Sequence, residues 1–234
     1  MTPKAVSLLA LLTALSPGCN GRPAENHSEA ATSRAKHEHS AGSEQQFPDP
    51  QAYAHSLDDP SRDDWQKPQE LVEHLQCRPG MTVVDLGAGT GYLVGYLSKA
   101  VGPEGRVLAL DTERAMVETI DRRIERDSLR NVRTGVVEAD DPALAPRSVD
   151  RILVVNTWHH IPERVEYAEK LRRALAPGGL LLIVDFTSES PHGPPSQMRL
   201  TDDTVRRELE SAGFETELLD ESLPDQYLVA GRLP

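Results

Sequence analysis

The sequence predicts an α/β fold: a three-layer sandwich around a mostly parallel seven-stranded sheet with an antiparallel edge strand. Three observations predict it. Short apolar runs alternate with helix-period segments from Thr82 onward. A glycine-rich stretch closes the first apolar run and opens the first helix. The second run ends on an aspartate. Strict alternation of strand and helix means a parallel sheet covered on both faces, with ligands held beyond the carboxyl ends of its strands.

The elements follow in order. Thr82–Leu86 is a continuous apolar run of buried-strand type, and Tyr92–Val101 is helical. Arg106–Leu110 is the second strand, followed by a helix near Glu113–Asp127 with Val117, Ile120 and Ile124 on one face. Val132–Val137 and Val149–Val155 are the third and fourth strands. Glu163–Leu175 is the next helix, with Val165, Ala168, Leu171 and Leu175 inward and Pro162 suited to its first turn. Leu180–Phe186 is the fifth strand. Thr201 caps a helix carrying Val205, Leu209 and Ala212, and Gly213 ends it. Phe214–Leu219 and Gln226–Ala230, joined through Pro224 with little helix signal between them, read as an antiparallel hairpin at the sheet edge. Ahead of the sheet, Arg62–Pro68 leads into a helix with Leu71, Val72 and Leu75 inward.

The chain has 234 residues, 38% hydrophobic and 26% charged, with a net charge of -12. This is the balance of an ordinary soluble domain, and it lacks the basic stripe that a nucleic-acid partner requires. Its two cysteines, Cys19 and Cys77, have no zinc-ligand spacing, so no metal is expected. Residues 1–19 combine a basic start, an apolar run from Ala5 to Leu15 and Ser16-Pro17-Gly18-Cys19. The run is shorter than the roughly 20 residues of a membrane span and reads as a secretory signal. Its end resembles a bacterial lipoprotein signal, which implies a lipidated Cys19 and a membrane tether. Pro17 and the position of Leu15 depart from that pattern. The expected location is the cell envelope, lipid-anchored or periplasmic, or the cytoplasm if the start codon is set too far upstream. Residues 20–46 hold no Leu, Ile, Val, Met or aromatic residue and read as a disordered linker, its His27, His37 and His39 solvated; the folded domain is expected over 47–234.

The stretch Val83-Val84-Asp85-Leu86-Gly87-Ala88-Gly89-Thr90-Gly91 has the pattern GxGxG. Glycines let the backbone turn sharply and approach a ligand. A dinucleotide fingerprint needs a glycine where Tyr92 stands, and a phosphate loop needs a lysine followed by Ser or Thr. Asp111, twenty residues past Gly91, can accept hydrogen bonds from two ribose hydroxyls. The block resembles motif I of class I S-adenosylmethionine-dependent methyltransferases, a Rossmann-like family. That resemblance implies S-adenosylmethionine as cofactor. It implies that Asp85 acts near the ligand's amino group and that Gly87, Ala88, Gly89 and Gly91 wrap the methionine part. Asp111 and Thr112 then stand at the ribose, and Glu138 or Asp140 at the adenine amino group, with Asn156 completing the set. Counting back from Asp150 favours Glu138, and counting from the strand end favours Asp140.

The fourth strand runs into Asn156-Thr157-Trp158-His159-His160-Ile161, where small-molecule methyltransferases often carry a histidine pair, and Pro177-Gly178-Gly179 resembles the family's next turn. The activated methyl group needs an oriented nucleophile and a general base only where that nucleophile must lose a proton. Candidates are His159, Asn156 and Asp185, with Tyr227 behind them and His160 read as a packed structural histidine. No Asn-Pro-Pro-aromatic motif or cysteine cluster points to a base, glutamine or arsenite acceptor. A small-molecule acceptor is expected, lipid-like if the chain is tethered, with the Thr187–Leu200 loop as part of a lid and Trp65 either lining the site or packing. A catalytically inactive nucleoside-binding module at the envelope is the alternative, because the cofactor is made in the cytoplasm.

Overall fold

The structure, a computed structural model, describes residues 58–234. The expected signal, the linker with its histidines and the domain start at Phe47 lie outside the described residues. Two short helices come first, α1 (Arg62–Gln66) and α2 (Pro68–His74). Lys67, at φ 43° in the left-handed region, breaks them apart, and Pro68 opens the second. The chain then runs β1 (Thr82–Leu86), α3 (Val94–Val101), β2 (Arg106–Asp111), α4 (Arg114–Asp127), β3 (Val132–Val136), β4 (Val149–Val155), α5 (Arg164–Ala174), β5 (Leu175–Phe186), α6 (Asp202–Ser211), β6 (Glu215–Leu218) and β7 (Gln226–Arg232).

The seven strands lie in the order β3-β2-β1-β4-β5-β7-β6. β1 pairs in parallel with β2 on one side and β4 on the other, so the chain reverses its direction of travel across the sheet at β1. Crevices form above the strand ends at such a switch point. The hairpin sits at the edge as expected, and β7, antiparallel to both β5 and β6, lies one place in from that edge.

Alternate residues of each strand feed opposite faces. Val84, Leu86, Ile152, Val154, Leu181 and Ile183 join Ala168 and Leu171 of α5 and Val205 and Leu209 of α6 in one core. Val83, Leu153, Val155, Leu182 and Val184 join Leu71 and Leu75 of the α2 segment, Leu97 of α3 and Ile120 of α4 in the other. Each buried aliphatic side chain contributes roughly 1.5–3 kcal/mol.

Several boundaries differ from the sequence reading, four of them for a visible physical reason. α3 starts at Val94, two residues late, because Gly91 at φ 78° turns the chain before it can coil. α5 begins at Arg164 behind Glu163 at φ 43°, which leaves Pro162 outside the helix. β5 begins at Leu175, which pairs with Val149; residues 176–179 then bulge out around Gly178 at φ 76°, and pairing resumes between Leu180 and Arg151. The expected Pro-Gly-Gly turn is thus a bulge within a strand. Finally, α1 is a separate helix. Thr201 does cap α6, its hydroxyl accepting from the Thr204 N–H at 3.1 Å, and Gly213 at φ 87° follows the helix end.

Candidate functional site

The carboxyl ends of β1, β2 and β4 converge on the glycine loop. Gly87, Gly89 and Gly91 all have positive φ (72°, 55° and 78°), a conformation that glycine adopts freely. A Cβ on Gly87 would stand 2.4 Å from the Thr157 side chain, and one on Gly91 3.1 Å from Ile120. The backbone here is pressed between β4's exit and α4, which leaves the loop's outer side for a ligand. The Gly87 and Ala88 N–H groups donate to the Leu110 carbonyl, tying the loop to β2.

Asp111 closes the arrangement from the end of β2. One carboxylate oxygen accepts from the Gly89 N–H at 2.7 Å, the other from the Glu113 N–H at 2.9 Å. The carboxylate keeps acceptor capacity beyond these bonds, which suits a ribose hydroxyl. Burial raises its pKa, against the pull of backbone bonds from Glu113, Gly89 and Thr112. Thr112 itself is exposed.

Asp85 is buried at 3% exposure, and its Oδ2 has no hydrogen-bond partner. Burial pushes its pKa up to about 7, opposed by the Arg62 charge and reinforced by Asp111. A buried acceptor without a donor costs about 1–3 kcal/mol, more when charged. A ligand ammonium would remove that cost. The β3 exit contributes Glu138 and Asp140, both exposed. The Glu138 carbonyl accepts from the Asp141 N–H at 3.2 Å, and the Asp140 carbonyl accepts from Lys170 at 2.5 Å. Both carboxylates therefore remain candidates for an exocyclic amine.

Beyond β4 the chain makes a 3-10 turn, Trp158–His160, anchored by Trp158 Nε1 donating to Glu208, which also pairs with Arg164 at 2.8 Å. The turn presents His159 to Asp185 at the end of β5. His159 Nδ1 lies 2.9 and 3.0 Å from the two Asp185 oxygens, with both side chains 2% exposed. The Phe186 N–H at 2.9 Å further fixes Asp185. The exposure of the two histidines is the reverse of the sequence reading: His159 is packed and His160 is exposed. The His160 ring rests 4.1 Å from that of His159, and desolvation on that face, with the His159 charge, lowers its pKa. Tyr227 spends its hydroxyl on the Leu200 carbonyl at 3.2 Å.

Gln66, Gln226 and Arg199 are participants that the sequence did not mark, and they join residues that it did. Three carboxamides form a closed ring: Gln66 Nε2 donates to Gln226 Oε1 (2.6 Å), Gln226 Nε2 to Asn156 Oδ1 (2.5 Å) and Asn156 Nδ2 to Gln66 Oε1 (3.1 Å). Arg62 also donates to Gln66 Oε1, at 3.2 and 3.4 Å, and its guanidinium lies 4.1 Å over the Tyr92 ring. Thr90 donates to Asp58 at 2.8 Å, and Tyr92 to Asp63. The segment before β1 is thereby fastened across the glycine loop. Trp65 stacks on His192 at 4.4 Å and contacts Phe186 at 6.1 Å. Arg199 donates to the carbonyls of Thr187, Ser188, Ser190, His192 and Pro194, at 2.8–3.1 Å. Among the described residues, no group of three or more His, Cys, Asp and Glu is placed to hold a metal ion.

A loop with three positive-φ glycines, an unpartnered buried carboxylate and a second carboxylate at the ribose position fit an amino-acid-bearing nucleoside. The comparisons agree. A methyltransferase-domain family matches residues 83–179. The chain is 32% identical over 120 residues to a ubiquinone/menaquinone biosynthesis C-methyltransferase UbiE of Bordetella parapertussis, covering 50% of this chain and 45% of that one. It is 28% identical over 148 residues to an arsenite methyltransferase of Halobacterium salinarum, covering 58% and 38%. The chain thus spans less than half the length of these curated relatives. Its fold superposes on a SAM-dependent methyltransferase from Aquifex aeolicus with TM-score 0.75 and 31% identity, covering 80% of this chain and 99% of that one. S-adenosylmethionine is the cofactor that this fold and loop receive, and the chain belongs to the S-adenosylmethionine-dependent methyltransferases.

Proposed function

We propose that the chain transfers a methyl group to a small apolar acceptor held above the ends of β4 and β5 and the start of β7. The observation that carries this reading is the His159–Asp185 pair. Two carboxylate oxygens at 2.9 and 3.0 Å favour the proton on Nδ1, which leaves Nε2 as the proton acceptor. The pair neighbours Thr157, whose hydroxyl lies 3.4 Å from the Gly87 carbonyl in the donor loop. When bound, S-adenosylmethionine supplies a methyl group on a sulfonium, already activated toward nucleophiles. The protein's own work is to orient the acceptor, exclude water and take a proton where the acceptor carries one.

The aromatic cluster of Trp65, Phe186 and His192 supports an acceptor with a flat apolar face. An arsenite acceptor is disfavoured. Cys77 precedes β1 at the opposite end of the strands, beside Arg151, and burial pushes its thiol up to about 11. Export and a Cys19 tether, argued from residues 1–19, remain part of this proposal and fit a lipid-like acceptor.

The test incubates the full chain with the methyl-labelled donor and a panel of quinol, phenol and amine acceptors. Label transfer to a flat ring, lost about 100-fold in His159→Gln and Asp185→Asn with donor affinity retained, supports the reading. Loss confined to His160→Gln moves the base to the exposed histidine. Tight donor binding with no transfer to any acceptor favours a binding module instead.

A further inference from the structure

A histidine that takes a proton must keep one ring orientation, and the turn that carries His159 has little stiffness of its own. A three-residue 3-10 turn closes few bonds. Here the His160 N–H donates to the Thr157 carbonyl at 2.9 Å and the Ile161 N–H to the Trp158 carbonyl at 3.2 Å. Asp185 supplies one external contact, and α6 supplies another. Val205 and Leu209, both 0% exposed, fix α6 in the core, and Glu208, beside Leu209, stands at the rim of that core. Its Oε2 accepts from Trp158 Nε1 at 2.9 Å, and its two oxygens accept from Arg164 Nε at 2.9 and 3.0 Å. Arg164 also donates to the Ile161 carbonyl at 3.4 Å.

We infer that Glu208 is a positioning residue for His159, acting through Trp158 and Arg164 on the two ends of the turn; the inference rests on the reading of His159 as the proton acceptor. The residue type argues for it. Trp158 is 0% exposed, and its buried N–H needs an acceptor. A neutral carbonyl would satisfy that need. A carboxylate with a side chain only 15% exposed is costly unless paired. Arg164 pairs it and also reaches the residue that follows the turn. One carboxylate thus ties the residue before His159 directly and the residue after His160 through Arg164. With both ends held, His159 meets Asp185 by its backbone N–H at 3.3 Å and by Nδ1 at 2.9 and 3.0 Å. The hydrogen bond made by one ring nitrogen decides which nitrogen carries the proton. A turn released at either end lets Nδ1 leave the carboxylate, and the proton is then free to sit on Nε2.

The tautomer of His159 reads this role without any acceptor. The full chain is isotope-labelled at its histidine nitrogens, and two-bond nitrogen–hydrogen correlations at about pH 8, where free imidazole is neutral, report which ring nitrogen holds the proton. His159→Gln assigns the signal. The wild type should hold the proton on Nδ1. Glu208→Ala should shift the ratio toward Nε2–H by about tenfold, the worth of one net hydrogen bond. Glu208→Gln keeps an acceptor for the indole and loses the charge that holds Arg164, so its shift should be smaller, about threefold. Affinity for S-adenosylmethionine, read by titration calorimetry, should stay within about twofold in both variants, because Glu208 hydrogen-bonds to Trp158 and Arg164 and not to the glycine loop or Asp111. An unchanged ratio in both variants overturns the proposal, even with a lowered melting temperature, and leaves Glu208 as a packing contact. A proton on Nε2 in the wild type removes His159 as the proton acceptor and this inference with it, so the two failures are told apart. Glu208→Gln carries the test if the alanine variant does not fold.

Discussion

Asp85 is a carboxylate held in a place where water cannot solvate it, and that fact sets a pH dependence. Its folded pKa of about 7 stands above the ordinary aspartate value, with burial as the main cause, Arg62 pulling down and Asp111 pushing up. A carboxylate with a raised folded pKa binds its proton more tightly when folded, so its contribution to stability falls as pH rises from about 4 to 7. With the donor's ammonium set against Asp85, as proposed from its unpartnered Oδ2, donor binding has the opposite slope, because the ammonium needs the ionised form. Affinity for S-adenosylmethionine should rise by up to about tenfold per pH unit below 7 and level off above it. Asp85→Asn should weaken binding and flatten that rise in titrations between pH 5.5 and 8.5. A flat wild-type profile would place the ammonium elsewhere. The residues of the loop and of Asp111 were legible in the sequence because their chemistry is local: glycines at set spacing, then an acid at the next strand end. The histidine pair was only half legible. Residue type marked it, but adjacent residues in a 3-10 turn point in different directions, and only the fold decides which one meets Asp185.

The loop between β5 and α6 is an element whose order rests on one side chain. Arg199 gathers five backbone carbonyls within 3.1 Å, and Gly193, at φ 84°, brings the backbone against Phe186, where a Cβ would stand 2.4 Å from the ring. Hydrogen bonds from a charged donor contribute about 1.5–3 kcal/mol. Arg199→Ala should therefore open the loop locally, with subtilisin cleavage between residues 187 and 199 accelerated about tenfold and the far-ultraviolet circular dichroism unchanged. Unaltered cleavage would show that the prolines and the Trp65–His192 stack suffice. The sequence marked this loop by its prolines and glycine but not its organiser, since an arginine in a polar stretch reads as a solvated charge. The central strands were legible because apolar runs of five to seven residues alternate with longer helix-period segments, whereas α1 is too short for any periodicity to register.

At the scale of the whole molecule, the donor loop is where both cores meet the pre-β1 segment, so ligand binding should stabilise the entire domain. Donor at about 100 times its dissociation constant adds about 2.7 kcal/mol, a rise in melting temperature of roughly 5–10 °C. A nicotinamide dinucleotide at the same concentration should leave the melting temperature unmoved, because Tyr92 stands where that ligand's loop needs glycine. An equal rise with both ligands would mean that the site reads the nucleoside and ignores the amino acid. The overall architecture was legible from alternation alone, yet the contacts that close the molecule over its ligand join residues 90 and 160 positions apart and leave no trace in any local window. The amide ring also has a handedness. Three carboxamides can circulate their hydrogen bonds clockwise or anticlockwise with equal satisfaction. Arg62 removes the choice: a guanidinium can only donate, so Gln66 must offer it oxygen, and the orientation of Gln226 and Asn156 follows. One cation in the first helix thus dictates which face of Asn156, at the end of β4, carries oxygen and which carries nitrogen.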